Sequence, residues 1–470
     1  MLLFDIQCQS DATSDWRIFA KKRYFAIDMK KYLFILACSL TACAPLKKNE
    51  RQKVYSQKMV ENRAMKSFNT NRSEQQLATA HWDYVPGLVA FSVLKAWEQY
   101  PEKIEYYNLV KAYADHCLQG GDTVEVGESN IDDLAAGKIF FTLYQTELKK
   151  GNTADAARYK NCVTFLRNKL KYDHSRIGES KPGTGGFFHK AQYPNQMWLD
   201  GLYMGPALYA GWQNLFGEEK GADDNRQSWS DIAHQFKTIH QYTYDKDKQL
   251  NYHGWSATPE DENSFWAKIG GPYKGTSPEF WGRGMGWYFA ALVDVIEVMP
   301  KSHPDYSSLN KIVNEVAAGL ARYQDKESGN WYQLLQYDDS MKADNKGDVI
   351  AGNVYNQCDK ANYLESSASS MFTYAYFKGI RLGVLDDKTY LPMAEKAYDG
   401  LIKNFIREEA NGELSILQSC ASAGLGPAKD KSRTGTINYY LCGKDVTVTQ
   451  NEGKAIGPFI MASLEYERRK

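Results

Sequence analysis

Two kinds of helical segment alternate along this chain, and their alternation predicts an all-α fold, an (α/α)6 barrel of six inner and six outer helices. Three observations carry that prediction. Segments starting near Asp83, Asp133, Trp198, Gly282, Glu365 and Ala455 hold few charges and many small or aromatic residues, the pattern of helices buried on all sides. Between them, roughly 103–117, 154–172, 226–242, 305–323 and 388–406 are amphipathic with one charged face, and a weaker helical pattern around Val54 to Met65 supplies a sixth outer helix. The apolar segments are spaced too irregularly for a solenoid of equal repeats, so one closed domain with loops of unequal length is expected.

The first informative stretch is N-terminal. Met29-Lys30-Lys31 precedes the apolar run Tyr32 to Leu40 and then Thr41-Ala42-Cys43, a charged region, a short apolar region and a small-residue cleavage site. Leu40-Thr41-Ala42-Cys43 resembles the lipobox of bacterial lipoproteins, whose cysteine is lipidated after cleavage. The expected organisation is a mis-assigned upstream stretch at 1–28, a lipoprotein signal peptide at 29–42, a tether and N-terminal segment at 43–79, and the helical domain at 80–470. This places the protein in a bacterial cell envelope, anchored through Cys43. An ordinary secretory signal cleaved nearby is the alternative.

Each inner segment lies on a short motif: His81-Trp82-Asp83-Tyr84, Asn130-Ile131-Asp132-Asp133, Met197-Trp198-Leu199-Asp200, Trp281-Gly282-Arg283-Gly284, Leu364-Glu365-Ser366-Ser367 and Gly457-Pro458-Phe459. The motifs lie at one end of their helices and are expected to converge on one face. Gly183-Thr184-Gly185-Gly186, Gly270-Gly271 and Gly424-Leu425-Gly426 read as loops there. Asn330 to Gln336 and Thr436 to Leu441 read as hairpin strands.

Composition narrows the function. Lys+Arg and Asp+Glu are both 57, and the lack of a basic excess argues against a nucleic-acid partner. Aromatic residues reach 13%, which suits flat sugar faces as well as core. Of eight cysteines, Cys8, Cys38 and Cys43 fall in the leader or at the lipidation site, and no paired Cys or Cys/His spacing points to a metal. Cys420 and Cys442 flank a Gly-rich loop and are the candidate disulfide. No HExxH, nucleotide loop or GxSxG elbow occurs, which removes common metalloprotease, NTPase and α/β-hydrolase readings.

Asp200 is the sharpest candidate. It lies in Met197-Trp198-Leu199-Asp200-Gly201-Leu202-Tyr203-Met204, a run with no other charge. A carboxyl there must be paired or have a raised pKa, and a raised pKa is what a general acid needs. Asp132 and Asp133 precede a helix, where one carboxylate suffices as a cap and leaves the other for chemistry. Arg283 lies between Trp281 and Trp287 with glycines on both sides, an arrangement that suits a carboxylate ligand or a structural bridge to Glu279. His189 and His253 stand in loops beside Gly and aromatic residues.

These motifs resemble glycoside hydrolase family 105, the unsaturated rhamnogalacturonyl hydrolases. The resemblance rests on the run His189 to Met204, on Tyr252-His253-Gly254-Trp255, on Ser277 to Trp287, on Asn362 to Ser369, and on Gly424-Leu425-Gly426, Tyr439-Tyr440 and Gly457-Pro458-Phe459, covering roughly 80–468. It implies an (α/α)6 barrel and hydration of the C4=C5 enol ether of an unsaturated uronic acid left by polysaccharide lyases. A proton goes to C4, water adds at C5, and the hemiketal opens and releases the neighbouring sugar. No cofactor, metal or covalent enzyme intermediate is implied. By motif position Asp200 matches the general acid/base and Asp132 the second site carboxylate. His189 (placed on the rim), Trp198, His253, Trp281, Arg283, Trp287 and Glu365 match the substrate pocket, with Arg283 on the uronate. One departure touches the leaving group: Ser256 stands where an acidic residue usually follows Tyr-His-Gly-Trp. The alternatives are a family 88-like unsaturated glucuronyl hydrolase acting on glycosaminoglycan fragments, or a non-catalytic glycan-binding lipoprotein.

Overall fold

A computed structural model describes residues 54–66 and 76–469 of the chain. The upstream stretch 1–28, the signal peptide at 29–42, Cys43 and most of the tether lie outside the described residues.

The first helix, α1 (Tyr55–Met59), runs on into a wider turn at Val60–Ala64. Inner and outer helices then alternate. Inner α2 (Tyr84–Gln99) is followed by outer α3 (Ile104–Leu118). A tight 3-10 segment, Ile131–Lys138, leads into inner α4 (Ile139–Lys150), then outer α5 (Thr153–Asn168). Next, α6 (Leu199–Met204) and α7 (Pro206–Phe216) form one inner element interrupted at Gly205-Pro206. Proline has no N–H to continue the ladder but fits the first position of a new helix. Outer α8 (Ala222–Thr243), inner α9 (Gly282–Val298), outer α10 (Tyr306–Arg322), inner α11 (Ser366–Arg381) and outer α12 (Asp387–Phe405) follow. A short α13 (Ile437–Cys442) precedes the last inner helix, α14 (Gly453–Glu467).

The inner elements close a ring. α2 packs on the 131–138 segment, that segment on α6, α6 on α9, α9 on α11, α11 on α14, and α14 on α2. Each outer helix backs an inner one, and α1 covers α14, so the helical unit includes the residues from Val54 onward. The (α/α)6 barrel expected from the alternation is the fold. Its physical basis is visible in burial. α11 is buried at every residue from Ser366 to Ile380, whereas α10 buries Leu309, Ile312, Val313, Val316, Ala317 and Leu320, a single face at helical spacing.

Three local expectations are corrected. Thr436 to Leu441 is helical: Thr436 Oγ1 accepts from the Tyr439 N–H at 3.2 Å, and Tyr439, Tyr440 and Leu441 pack into a cluster with Trp281 and Leu334. Asn330 to Gln336 makes single bridges, Leu334 to Trp281 and Tyr332 to Leu364, rather than a hairpin. The disulfide is Cys358–Cys442, not Cys420–Cys442. The backbone of Cys420 is held between two buried side chains, its N–H on Glu365 at 2.9 Å and its carbonyl on Arg283, and its thiol stays free and buried. Cys442, at the end of α13, faces the loop that carries Cys358.

Candidate active site

The N-terminal ends of the inner helices surround a cavity of 210 Å³ lined by Asp132, His189, Trp198, Asp200, Trp281, Arg283 and Trp287, among others. Four of the six motifs, those holding Tyr84, Asp132, Asp200 and Arg283, meet here because their inner elements start at the same end of the barrel; Leu364-Glu365-Ser366-Ser367 and Gly457-Pro458-Phe459 do not line the cavity, and α14 reaches it through Lys454.

Asp200 reaches the cavity through a small sheet. Gln196–Trp198 pairs antiparallel with Gly254–Ser256, and the Leu199 N–H donates to the His253 carbonyl at 2.9 Å. This brings the first turn of α6 beside His253. Residue 254 is glycine for a steric reason: a Cβ there would lie 2.6 Å from Leu425 and 2.9 Å from Trp198. Gly284 opens the other side, where a Cβ would stand 3.2 Å from the His253 ring and 3.7 Å from Asp200 Oδ2.

Asp200 is 9% exposed and lies 3.1 Å from Nε2 of fully buried His253. On the far side of the ring, Nδ1 meets the Tyr440 hydroxyl at 2.7 Å. Burial pushes the Asp200 carboxyl up, but His253 beside it, by charge and hydrogen bond, pulls it further the other way, so it is held below the usual carboxylate range. The raised pKa expected from the apolar sequence context is therefore not the resting state of the site. The run is as apolar as its residues say, but a histidine 53 positions away supplies the missing partner.

Asp133 is the residue that serves the loop, accepting from the Gly127 N–H and the Asn130 amide, both at 2.8 Å. Asp132 faces the cavity. Its Oδ2 pairs with Lys190 at 2.7 Å, its Oδ1 lies 3.7 Å from His189 Nε2, and Oδ1 has no hydrogen-bond partner. His189 is not on the rim: it is 4% exposed and stacks on Trp198 with ring centroids 4.2 Å apart. Burial pushes its pKa down to about 4, so it is neutral, and its Nδ1 is unpartnered.

Arg283 is buried, with its guanidinium 4.8 Å from the Trp281 ring. One nitrogen, Nη1, donates to the Cys420 carbonyl and to Ser367 Oγ at 3.3 Å, and Nε has no partner. It does not bridge to Glu279, which binds Gln336 at 2.7 Å. Glu365, expected in the substrate pocket, is a structural cap. Its carboxylate accepts from the N–H groups of Ser367, Ala368 and Cys420 and from Ser367 Oγ, at 2.7–3.1 Å, and it does not line the cavity. His253 likewise acts behind Asp200 rather than on the cavity surface. Ser256 is turned away, bonded to Ser264 at 2.8 Å.

Tyr84, Lys190, Tyr193, Arg433 and Lys454 also line the cavity and were not singled out from sequence. Tyr84 lies inside the quoted motif His81-Trp82-Asp83-Tyr84, and Lys190 and Tyr193 lie inside the run His189 to Met204, so membership of those motifs was an available signal. Arg433 arrives on a loop, paired with Asp445 at 2.9 Å, and carries no local pattern that marks it.

Buried carboxylates, a buried cation and three tryptophans around a small polar cavity fit an acidic sugar. Comparison with known proteins agrees. The profile of Glycosyl Hydrolase Family 88 matches residues 55–348 and 352–470. The chain belongs to glycosyl hydrolase family 88. It is also 34% identical to a family 105 glycoside hydrolase of C. acetobutylicum ATCC 824, whose structure superposes with a TM-score of 0.71 over 88% of this chain and 100% of that one. The unsaturated rhamnogalacturonyl hydrolase YesR of Bacillus subtilis (strain 168) is 24% identical over 260 residues, 55% of this chain and 66% of that protein. An unsaturated 3S-rhamnoglycuronyl hydrolase of Alteromonas sp. (strain LOR) is 24% identical over 229 residues, 48% of this chain and 46% of that protein. The expected resemblance to family 105 stands, and this family 88 protein is a glycoside hydrolase rather than a non-catalytic binder.

Proposed function

We propose that this hydrolase removes a terminal 4,5-unsaturated uronic acid from lyase-generated oligosaccharides, with unsaturated galacturonyl on rhamnose as the preferred unit. The observation that carries the reading is the Asp200–His253 pair facing Arg283 across an aromatic-walled cavity. The pair holds a proton between a carboxylate and an imidazole 3.1 Å apart. The uronate carboxylate docks toward Arg283 at the start of α9, where the helix dipole also favours an anion. A second negative charge so close, with water displaced, raises the affinity of Asp200 for the proton it delivers to C4. Asp132, whose Oδ1 is unpartnered, positions the water or a ring hydroxyl. Asp200, once ionised, takes the proton back as water adds at C5, and the hemiketal opens to release the next sugar. Relatives named for rhamnose-linked uronides support rhamnose as the leaving sugar.

The test is the ultraviolet absorbance of the conjugated C4=C5 carboxylate in a rhamnogalacturonan-lyase digest. Wild type abolishes it and Asp200→Asn does not. Activity on unsaturated glycosaminoglycan fragments, with none on the rhamnogalacturonan digest, overturns the leaving-group assignment. Activity on neither overturns the reaction. We further propose lipid anchoring in a bacterial cell envelope at Cys43: Cys43→Ser moves the protein from the membrane fraction to the soluble one, and unchanged fractionation overturns it.

A further inference from the structure

A second cavity, of 300 Å³, is lined from α4 and α7 and from the later turns of α2, α9, α11 and α14. It lies at the mouth opposite the Asp200 site. Its wall carries five cations and four carboxylates. Four of the cations are answered. Lys378 binds Asp294 at 2.8 Å and Glu297 at 2.7 Å; Arg381 binds Glu465 at 2.8 Å and Glu297 at 3.0 Å. Lys95 binds Glu98 at 2.8 Å, and Arg468 stands 3.8 Å from Glu465. Three of these four, Lys378, Arg381 and Arg468, also sit at helix C-termini, where a positive side chain meets the dipole.

The unanswered cation is Lys138. It stands where the 131–138 segment enters α4, at 5% exposure, and makes no salt bridge among the described residues. Its Nζ has a 3.3 Å contact to the Tyr203 carbonyl and lies 3.1 Å from the Tyr203 ring and 5.6 Å from that of Phe91. Burial pushes its pKa down to about 7; nearby Asp294 raises it and Lys378 lowers it. Asp294 is already engaged by Lys378 and by the Tyr374 hydroxyl at 2.6 Å. A buried ammonium without a counter-ion is costly, and an anion entering the cavity removes that cost. Phe91, Phe141 and Met461 give the same cavity an apolar part of its wall, and the volume is at the lower end of small-ligand pockets, about 300–1,000 Å³.

We infer that this cavity is a second ligand site, for a small organic carboxylate whose charged end meets Lys138 and whose carbon skeleton lies on Phe91, Phe141 and Met461. The Tyr203 ring beneath Lys138 also packs on Trp287 at 4.7 Å, so two side chains, Lys138 and Tyr203, separate the occupant from the active-site wall.

Calorimetric titration at pH 7 tests this, with butyrate and D-galacturonate as separate probes and 1-butanol as the uncharged control. The full-length protein carries Asp200→Asn so that no turnover intervenes. Binding of either carboxylate and not of butanol is expected, and the stronger probe tells whether the occupant is a simple acid or a sugar acid. Lys138→Met weakens binding at least tenfold. Asn214→Trp, at the exposed mouth, weakens it comparably while leaving Lys138 in place, and decides the matter alone if thermal melting shows that Lys138→Met is misfolded. Arg283→Met leaves it unchanged. Absence of binding by both acids overturns the site. So does binding that survives Asn214→Trp and Lys138→Met, or binding lost in Arg283→Met, which assigns it to the Asp200 cavity.

Discussion

The Tyr440 hydroxyl lies 2.7 Å from Nδ1 of His253, on the side of the ring away from Asp200. The three residues form a buried line, Tyr440 to His253 to Asp200, and its outer end stands two residues before Cys442, which the disulfide ties to Cys358. Which nitrogen of His253 carries the proton toward Asp200 depends on what Tyr440 does at the other nitrogen. Tyr440→Phe leaves the apolar packing in place and removes that control. The loss of one buried hydrogen bond, about 1–1.5 kcal/mol, predicts a roughly 5- to 10-fold lower kcat with little change in KM. Steady-state kinetics on the unsaturated oligosaccharide check this, and a change confined to KM contradicts it.

The pH dependence follows from Asp200. Reaction needs a proton on the Asp200–His253 pair, so activity falls as pH rises past the point where the pair loses it. In the free enzyme His253 holds the carboxyl low, whereas a bound uronate pushes it up. The basic limb of kcat/KM, which reports free enzyme, should therefore lie at lower pH than that of kcat, which reports the complex. Coincident limbs in the two profiles would contradict a substrate-raised acid.

Glu365 predicts a stability effect. Replacing it with Gln removes the charge and at least one acceptor from a site that takes three backbone N–H groups. Leaving a buried donor unpaired costs about 1–3 kcal/mol, so Glu365→Gln should lower stability by about that much in a denaturant titration. Because the same cap holds the Cys420 strand whose carbonyl binds Arg283, KM should rise as well.

The cysteines give a chemical test. Cys358 and Cys442 close a loop with a sequence separation of 84, and removing the link by Cys358→Ser should cost about 2–4 kcal/mol. Peptide mapping of alkylated protein should show Cys420 blocked only after unfolding, since its thiol is buried and its Sγ lies 3.1 Å from the Ser422 carbonyl. A Cys420–Cys442 peptide would contradict the pairing.

Much of the architecture was legible because it rests on short-range pattern. The charge-poor stretches at α9 and α11 and the one-sided burial of α10 are periodicities that any helix of that composition must obey. The strand expected at Thr436 to Leu441 failed because the strand preference of Thr, Ile and Tyr yields to context, and here a threonine cap with a buried aromatic face outweighed it. Glu365 was assigned to substrate because its motif stands among pocket motifs; it is the N-cap of α11, and its carboxylate is used up on the N–H groups of Ser367, Ala368 and Cys420.

The order of the motifs, their helical settings and the gathering of Asp132, Asp200 and Arg283 at one end of a ring were legible in the sequence alone, since the motifs that hold them stand at the start of their inner elements. Only tertiary structure decided the partners. His253 turns an isolated aspartate into a proton-sharing pair, Cys358 rather than Cys420 reaches Cys442, and Lys138 is left without an anion. Each of these depends on contacts between segments tens to hundreds of residues apart, set by ring closure and packing, and local composition carries no record of them.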